Sequence, residues 1–149
     1  MDYAGTVSLT LAVGVAVGLV YYRRTGWSPG GLVTPGLLAL SASDPVSFLG
    51  ALLLGLAFAV VLRCLVSKMC LYGRERVGAA LLMAILFRLV FRSVMPALFI
   101  DSLWIGWAAP GLIAADAERQ GALMTVTGAT STGIATALVM FIVTALRQF

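Results

Sequence analysis

The stretch Arg24-Thr25-Gly26-Trp27-Ser28-Pro29-Gly30-Gly31-Leu32-Val33-Thr34-Pro35-Gly36-Leu37-Leu38-Ala39-Leu40 decides how this chain is read. It is largely apolar, yet Pro-Gly interrupts it twice. At about 1.5 Å of rise per residue, the apolar segment 30–43 falls short of a hydrocarbon core about 30 Å thick. Broken backbone at membrane depth is tolerated only where protein or a wet cavity covers it. Much of the pattern returns later in the chain. Gly26-Trp27 recurs as Gly106-Trp107, and Pro35-Gly36-Leu37-Leu38-Ala39 as Pro110-Gly111-Leu112-Ile113-Ala114. This second copy lies in another short apolar segment, 105–115.

Four longer apolar segments surround these two: 4–22, 46–66, 77–100 and 121–146. A helical span takes roughly 20 residues, so each is long enough to cross a bilayer. The expected fold is an all-α polytopic membrane protein with four long transmembrane helices and two short segments broken by Pro-Gly. Three crossings per copy make the copies, 1–68 and 74–149, an inverted repeat within a single integral membrane domain.

Composition points the same way. Of 149 residues, 61% are hydrophobic and 11% charged, against about 25% charged in ordinary soluble domains. The mean hydropathy is +1.05. A chain of this length has no room for a separate catalytic module of ordinary size. The N-terminus reads as an uncleaved first span that starts outside, because Arg23-Arg24 follows the apolar run instead of preceding it.

Charge sets the orientation. The net charge is +4, and the cations read as juxtamembrane topology signals. They do not form a nucleic-acid surface. Arg23-Arg24 and the cluster Arg63, Lys68, Arg74 and Arg76 belong in the cytoplasm. The chain must therefore return outside between them, reaching Asp44-Pro45 through the first broken segment. The third span then runs outward to Asp101, and the second broken segment returns inward to Glu118-Arg119. A pair of re-entrant segments is the competing arrangement, and it leaves one basic cluster on the wrong side.

Several chemistries are excluded by residue type. There is no histidine, so Ser-His and Cys-His nucleophile pairs are absent. Cys64 and Cys70 are the only cysteines and cannot build a zinc site alone. In the reducing cytosol they are not expected to pair. No phosphate-cradling loop is followed by the lysine that a nucleotide site needs. No cofactor is expected.

The sharpest candidates are Arg88 and Arg92. Four residues apart, they share one helix face. A central membrane arginine costs about 2.5–3.5 kcal/mol on insertion scales, so it is expected to meet a partner or a wet path. Together with Pro35, Gly36, Pro110, Gly111, Asp116 and Arg119, these arginines make up the expected route for an anionic ligand. A structural pair between Arg88 and Asp116 is the alternative. Lys68, Arg74 and Arg76 form a basic loop suited to anionic lipid or to docking a cytosolic enzyme. Gly14 and Gly18, and Gly128 with Thr132 and Thr136, offer small faces for helix packing within the chain or in a homo-oligomer.

The run 24–40, the second motif from Pro110 to Gly121, and Ser67-Lys68 with Tyr72-Gly73-Arg74 between them resemble the signatures of PgsC/CapC proteins of poly-γ-glutamate synthesis. The resemblance covers most of the chain. It implies a multi-pass protein of a bacterial or archaeal cell membrane. It also implies a non-catalytic subunit that works with a cytosolic ATP-dependent, Mur-ligase-like amide ligase (PgsB/CapB) and an extracytoplasmic subunit (PgsA/CapA). The membrane subunit would then be required for polymerisation and would help pass the polyanion across the membrane, with the outer subunit assisting. Three positions depart from the pattern: Arg23 stands where an acid is common, Leu37-Leu38 where an aromatic is, and Asp116 where the pattern is uncharged. The arginines alone would also suit a stand-alone organic-anion transporter, and Asp116 an intramembrane acid or base.

Overall fold

The computed structural model describes residues 3–70, 73–94 and 108–146; the side chains of 3, 91, 92 and 94 lie outside that description. Its helices are α1 (Tyr3–Thr25), α2 (Thr34–Leu40), α3 (Pro45–Met69), α4 (Arg74–Val94), α5 (Ala108–Gln120) and α6 (Ala122–Leu146). Three of these are long and apolar enough to cross a membrane: Ala4–Thr25 of α1, Pro45–Met69 and Ala122–Leu146. The expected span over 77–100 is helical as far as Val94. The rest of it lies outside the described residues, as do Asp101 and the Gly106-Trp107 pair.

Local chemistry sets the ends of these helices. Asp44 caps α3 by accepting from the Val46 amide, and Pro45 occupies the first turn, where its missing N–H costs nothing. Cys70 closes the same helix in the left-handed region, at φ 50°. Gly121, at φ 99°, is the single residue between α5 and α6. Along α6 the hydroxyls of Thr125, Thr130, Thr132 and Thr136 donate to the carbonyl one turn back, so their polarity is absorbed by the helix itself.

Contact between helices depends on small residues. A Cβ on Gly14 would overlap the backbone of Gly36, so α1 and α2 cross backbone to backbone. Gly111 approaches Ala80, Leu81 and Ala84 of α4 closely, leaving an added Cβ only 3.1–3.3 Å from them. Gly55 of α3 is pressed on Ile113, and Gly133 of α6 on Leu38. One buried cluster joins Phe58 and Leu62 to Ala80, Ala84, Ala114, Ala115 and Ala117, and a second joins Leu38, Leu52, Ile113 and Ala129. In lipid, such packing is driven by close van der Waals fit, which alanine and glycine allow. Large apolar side chains point outward instead, among them Val46, Leu53, Val60, Leu123, Phe141 and Leu146. That surface suits hydrocarbon and not water.

The contacts also fix chain direction. Gly18 faces Leu32 and Pro29 while Gly14 faces Gly36, so the segment through α2 runs antiparallel to α1. Gly111 lies against Ala80 to Ala84 and Glu118 against Arg76, so α5 runs antiparallel to α4. The start of α6 adjoins Tyr21 and Pro29, and Gly133, further along, adjoins Leu38 and Phe48. The ends of α1, α3 and α5 therefore gather with the starts of α4 and α6. The cations Arg23, Arg24, Arg63, Lys68, Arg74, Arg76 and Arg119 belong to this one end.

Candidate functional site

The turn before α2 meets α5 in a polar junction at the basic end. Pro29 and Gly30 are buried. Gly30 and Gly31 adopt φ of 80° and 96°, and Cβ atoms there would press on Ile113 and Leu112. Positive φ and this close approach both favour glycine. The turn presents Ser28 to the far half of the chain. The Ser28 hydroxyl donates to Asp116 Oδ2 and accepts from the Gly31 amide. The Ser28 amide donates to Gln120 Oε1 at 3.0 Å, and Gln120 Nε2 donates back to the Ser28 carbonyl. Gln120 Nε2 also reaches Thr125 Oγ1 at 3.0 Å, which ties α6 into the junction.

Two ion pairs flank it. Arg76 Nη1 lies 2.7 Å from Glu118 Oε2, with side chains only 20% and 13% exposed. The contact is ionic by distance without the alignment of a hydrogen bond, and Arg76 Nε has no hydrogen-bond partner among the described residues. Arg119 stands 3.7 Å from Asp116 but is 59% exposed, so that pair contributes little. Asp116 is thus held by Ser28 and Arg119, and the alternative pairing with Arg88 does not form. Arg88 is half-buried on α4, about 18 Å along the axis from Arg76. Arg92 belongs to the last turn of α4, and its side chain lies outside the described residues.

The other candidates divide by role. Pro35, Gly36, Pro110 and Gly111 are all buried at helix crossings. Their positions are explained by packing. Lys68 and Arg74 are exposed at the basic end, whereas Arg76 already has an internal partner in Glu118. Ser28, Gln120 and Thr125 were not singled out as site residues by sequence. The one hint in the sequence is that Ser28 lies in the run 24–40 and Gln120 in the motif from Pro110 to Gly121, the two stretches that carry the family resemblance.

Lateral grooves also lie on the described surface. One, of about 420 Å³ between α1 and α6, is lined by Val17, Tyr21, Arg24, Ser131 and Thr132. Another, of about 780 Å³ between α3 and α4, is wholly apolar in its lining. Among the described residues, no three His, Cys, Asp or Glu side chains gather as metal ligands would.

The family model described as capsule biosynthesis CapC matches residues 13–126, a range that contains both halves of the junction. A capsule biosynthesis protein CapC of Bacillus anthracis is 37% identical over 128 residues, covering 83% of this chain and 86% of the relative. A PGA biosynthesis protein CapC of Bacillus subtilis (strain 168) is 33% identical over 144 residues, covering 94% and 97%. No solved structure matches the chain significantly.

Proposed function

Because the chain belongs to the capsule biosynthesis CapC family, we propose that it is the membrane subunit of a poly-γ-glutamate synthase. In this reading it supports ATP-dependent polymerisation by a partner amide ligase and helps the polyanion across the membrane. The observation that carries the proposal is the family match over 13–126. The names of its two relatives, capsule and PGA biosynthesis proteins, support the substrate class.

The same reading makes the chain an inverted repeat in the cell membrane. Support comes from corresponding contacts in the two halves. Gly36 packs on α1 as Gly111 packs on α4, and Gly133 meets Leu38 as Gly55 meets Ile113. Leu38 and Ile113 hold the same place after Pro-Gly in the two motifs. The alternation of chain direction from α1 to α6 also suits three crossings per half.

In this account the basic end faces the cytosol, and exposed Lys68 and Arg74 dock the ligase. An extracytoplasmic subunit acts at the other end. Arg88 and Arg92 line the route because a guanidinium stays charged and can hold a carboxylate by two parallel hydrogen bonds. The ligase contact is tested by co-purification of the tagged chain with its ligase. Lys68→Gln with Arg74→Gln should reduce recovery of the ligase while the chain still inserts. Undiminished recovery would remove these cations from docking.

A further inference from the structure

We propose that the groove between α3 and α4 is a binding site for one anionic phospholipid of the leaflet at the basic end. Its wall on α3 is Leu54, Phe58, Val61 and Leu65, and its wall on α4 includes Leu82, Met83, Leu86 and Val90. Phe58 and Phe87 meet edge to face at 5.3 Å and give the groove a rigid floor. Among the described residues, no charged side chain lines it.

Length and charge select the occupant. From Leu54 to Leu65 the wall rises about 17 Å, roughly half of a hydrocarbon core and so about one leaflet. A partner's spanning helix would need about twice that length of wall. The α3 stripe repeats at three- and four-residue steps through 54, 58, 61 and 65, and the next position on it is Lys68, exposed at the mouth. Arg74 opens α4 at the same level, and Glu75 is the one acidic side chain of that first turn. The mouth is therefore net cationic while the body is dry. An acyl chain fits the body, and a phosphate headgroup meets Lys68. Cations at this depth strengthen binding to anionic lipid. The inference does not depend on the polymer assignment.

Native mass spectrometry of the purified full chain, with phosphatidylglycerol or phosphatidylcholine added to the detergent, tests it. One phosphatidylglycerol should be retained in preference to phosphatidylcholine. Lys68→Gln should weaken that retention about fivefold. Val61→Trp, which fills the groove from an exposed position, should displace the lipid whatever its headgroup. Equal retention of both lipids, with no effect of Lys68→Gln, would reduce the groove to ordinary annular contact and overturn the proposal. So would a homodimer that Val61→Trp dissociates, because a second copy would then be the occupant.

Discussion

Ser28 donates its hydroxyl to Asp116 across 88 residues of sequence, joining the turn before the first Pro-Gly helix to the second Pro-Gly helix. Asp116 is only 17% exposed, and the same serine oxygen accepts from the Gly31 amide. A hydrogen bond to a charged, partly buried acceptor contributes about 1.5–3 kcal/mol. Ser28→Ala should therefore lower the stability of the purified protein by about 2 kcal/mol. Asp116→Asn should cost a similar amount, and the double variant less than the sum. Thermal unfolding in detergent measures all three, and additive losses would mean that the two residues act separately.

The helix crossings make a prediction with built-in controls. A Cβ at Gly14 runs into Gly36, and one at Gly111 sits tightly on the Ala80 carbonyl at 3.1 Å, whereas Gly50 and Gly78 face open space. Gly14→Ala should destabilise by about 1–3 kcal/mol through overpacking, and Gly111→Ala by less. Gly50→Ala and Gly78→Ala should be neutral or slightly stabilising, since alanine is the better helix former. Unfolding midpoints of the four variants separate the two classes.

Arg76 and Glu118 hold α4 to α5 at the basic end. Removing one partner of such a pair leaves the other charge largely buried, at a cost of about 3 kcal/mol. Glu118→Gln should thus destabilise far more than Arg74→Gln, whose cation is exposed. Comparable losses would place Arg76 on the docking surface with Arg74.

Asp44 supplies a pH dependence. Its hydrogen bond from Ser47 and the amides of the first turn of α3 hold its carboxyl below the ordinary 3.8. The folded state therefore favours the ionised form. That contribution is fully present above the unfolded value and is lost as pH falls through the lowered folded value. Melting curves taken downward from about pH 5 should show this loss, and Asp44→Asn should remove part of it while keeping the helix cap. An unchanged acid profile in Asp44→Asn would assign the dependence to other carboxyls.

The fold was more legible in the sequence than the junction. Helices on 4–22, 46–66 and 121–146 follow from long apolar runs, broken only by Arg63 near the end of the second, because lipid leaves the backbone no other way to satisfy itself. Both broken segments were visible as Pro-Gly within an apolar context. Their use was not visible, since sequence alone does not say which helix a small residue meets. Pro35, Gly36, Pro110 and Gly111 are buried where helices cross, a placement that their sequence context does not specify. Arg76 reads in sequence as one cation of the basic loop, because nothing local shows that Glu118 faces it. Ser28 and Gln120 carry no charge and no periodic signal, so their meeting depends wholly on the tertiary approach of two distant turns.

Polymer export in whole cells tests the central claim most directly. Cells that express the partner ligase and the extracytoplasmic subunit should release labelled poly-γ-glutamate only when this chain is also present. Arg88→Gln should cut that release while the subunits still assemble, and Arg88→Lys should restore part of it. Full release without the chain, or from the Arg88→Gln variant, would contradict the account, as would transport of a small organic anion by the purified chain with no ligase present.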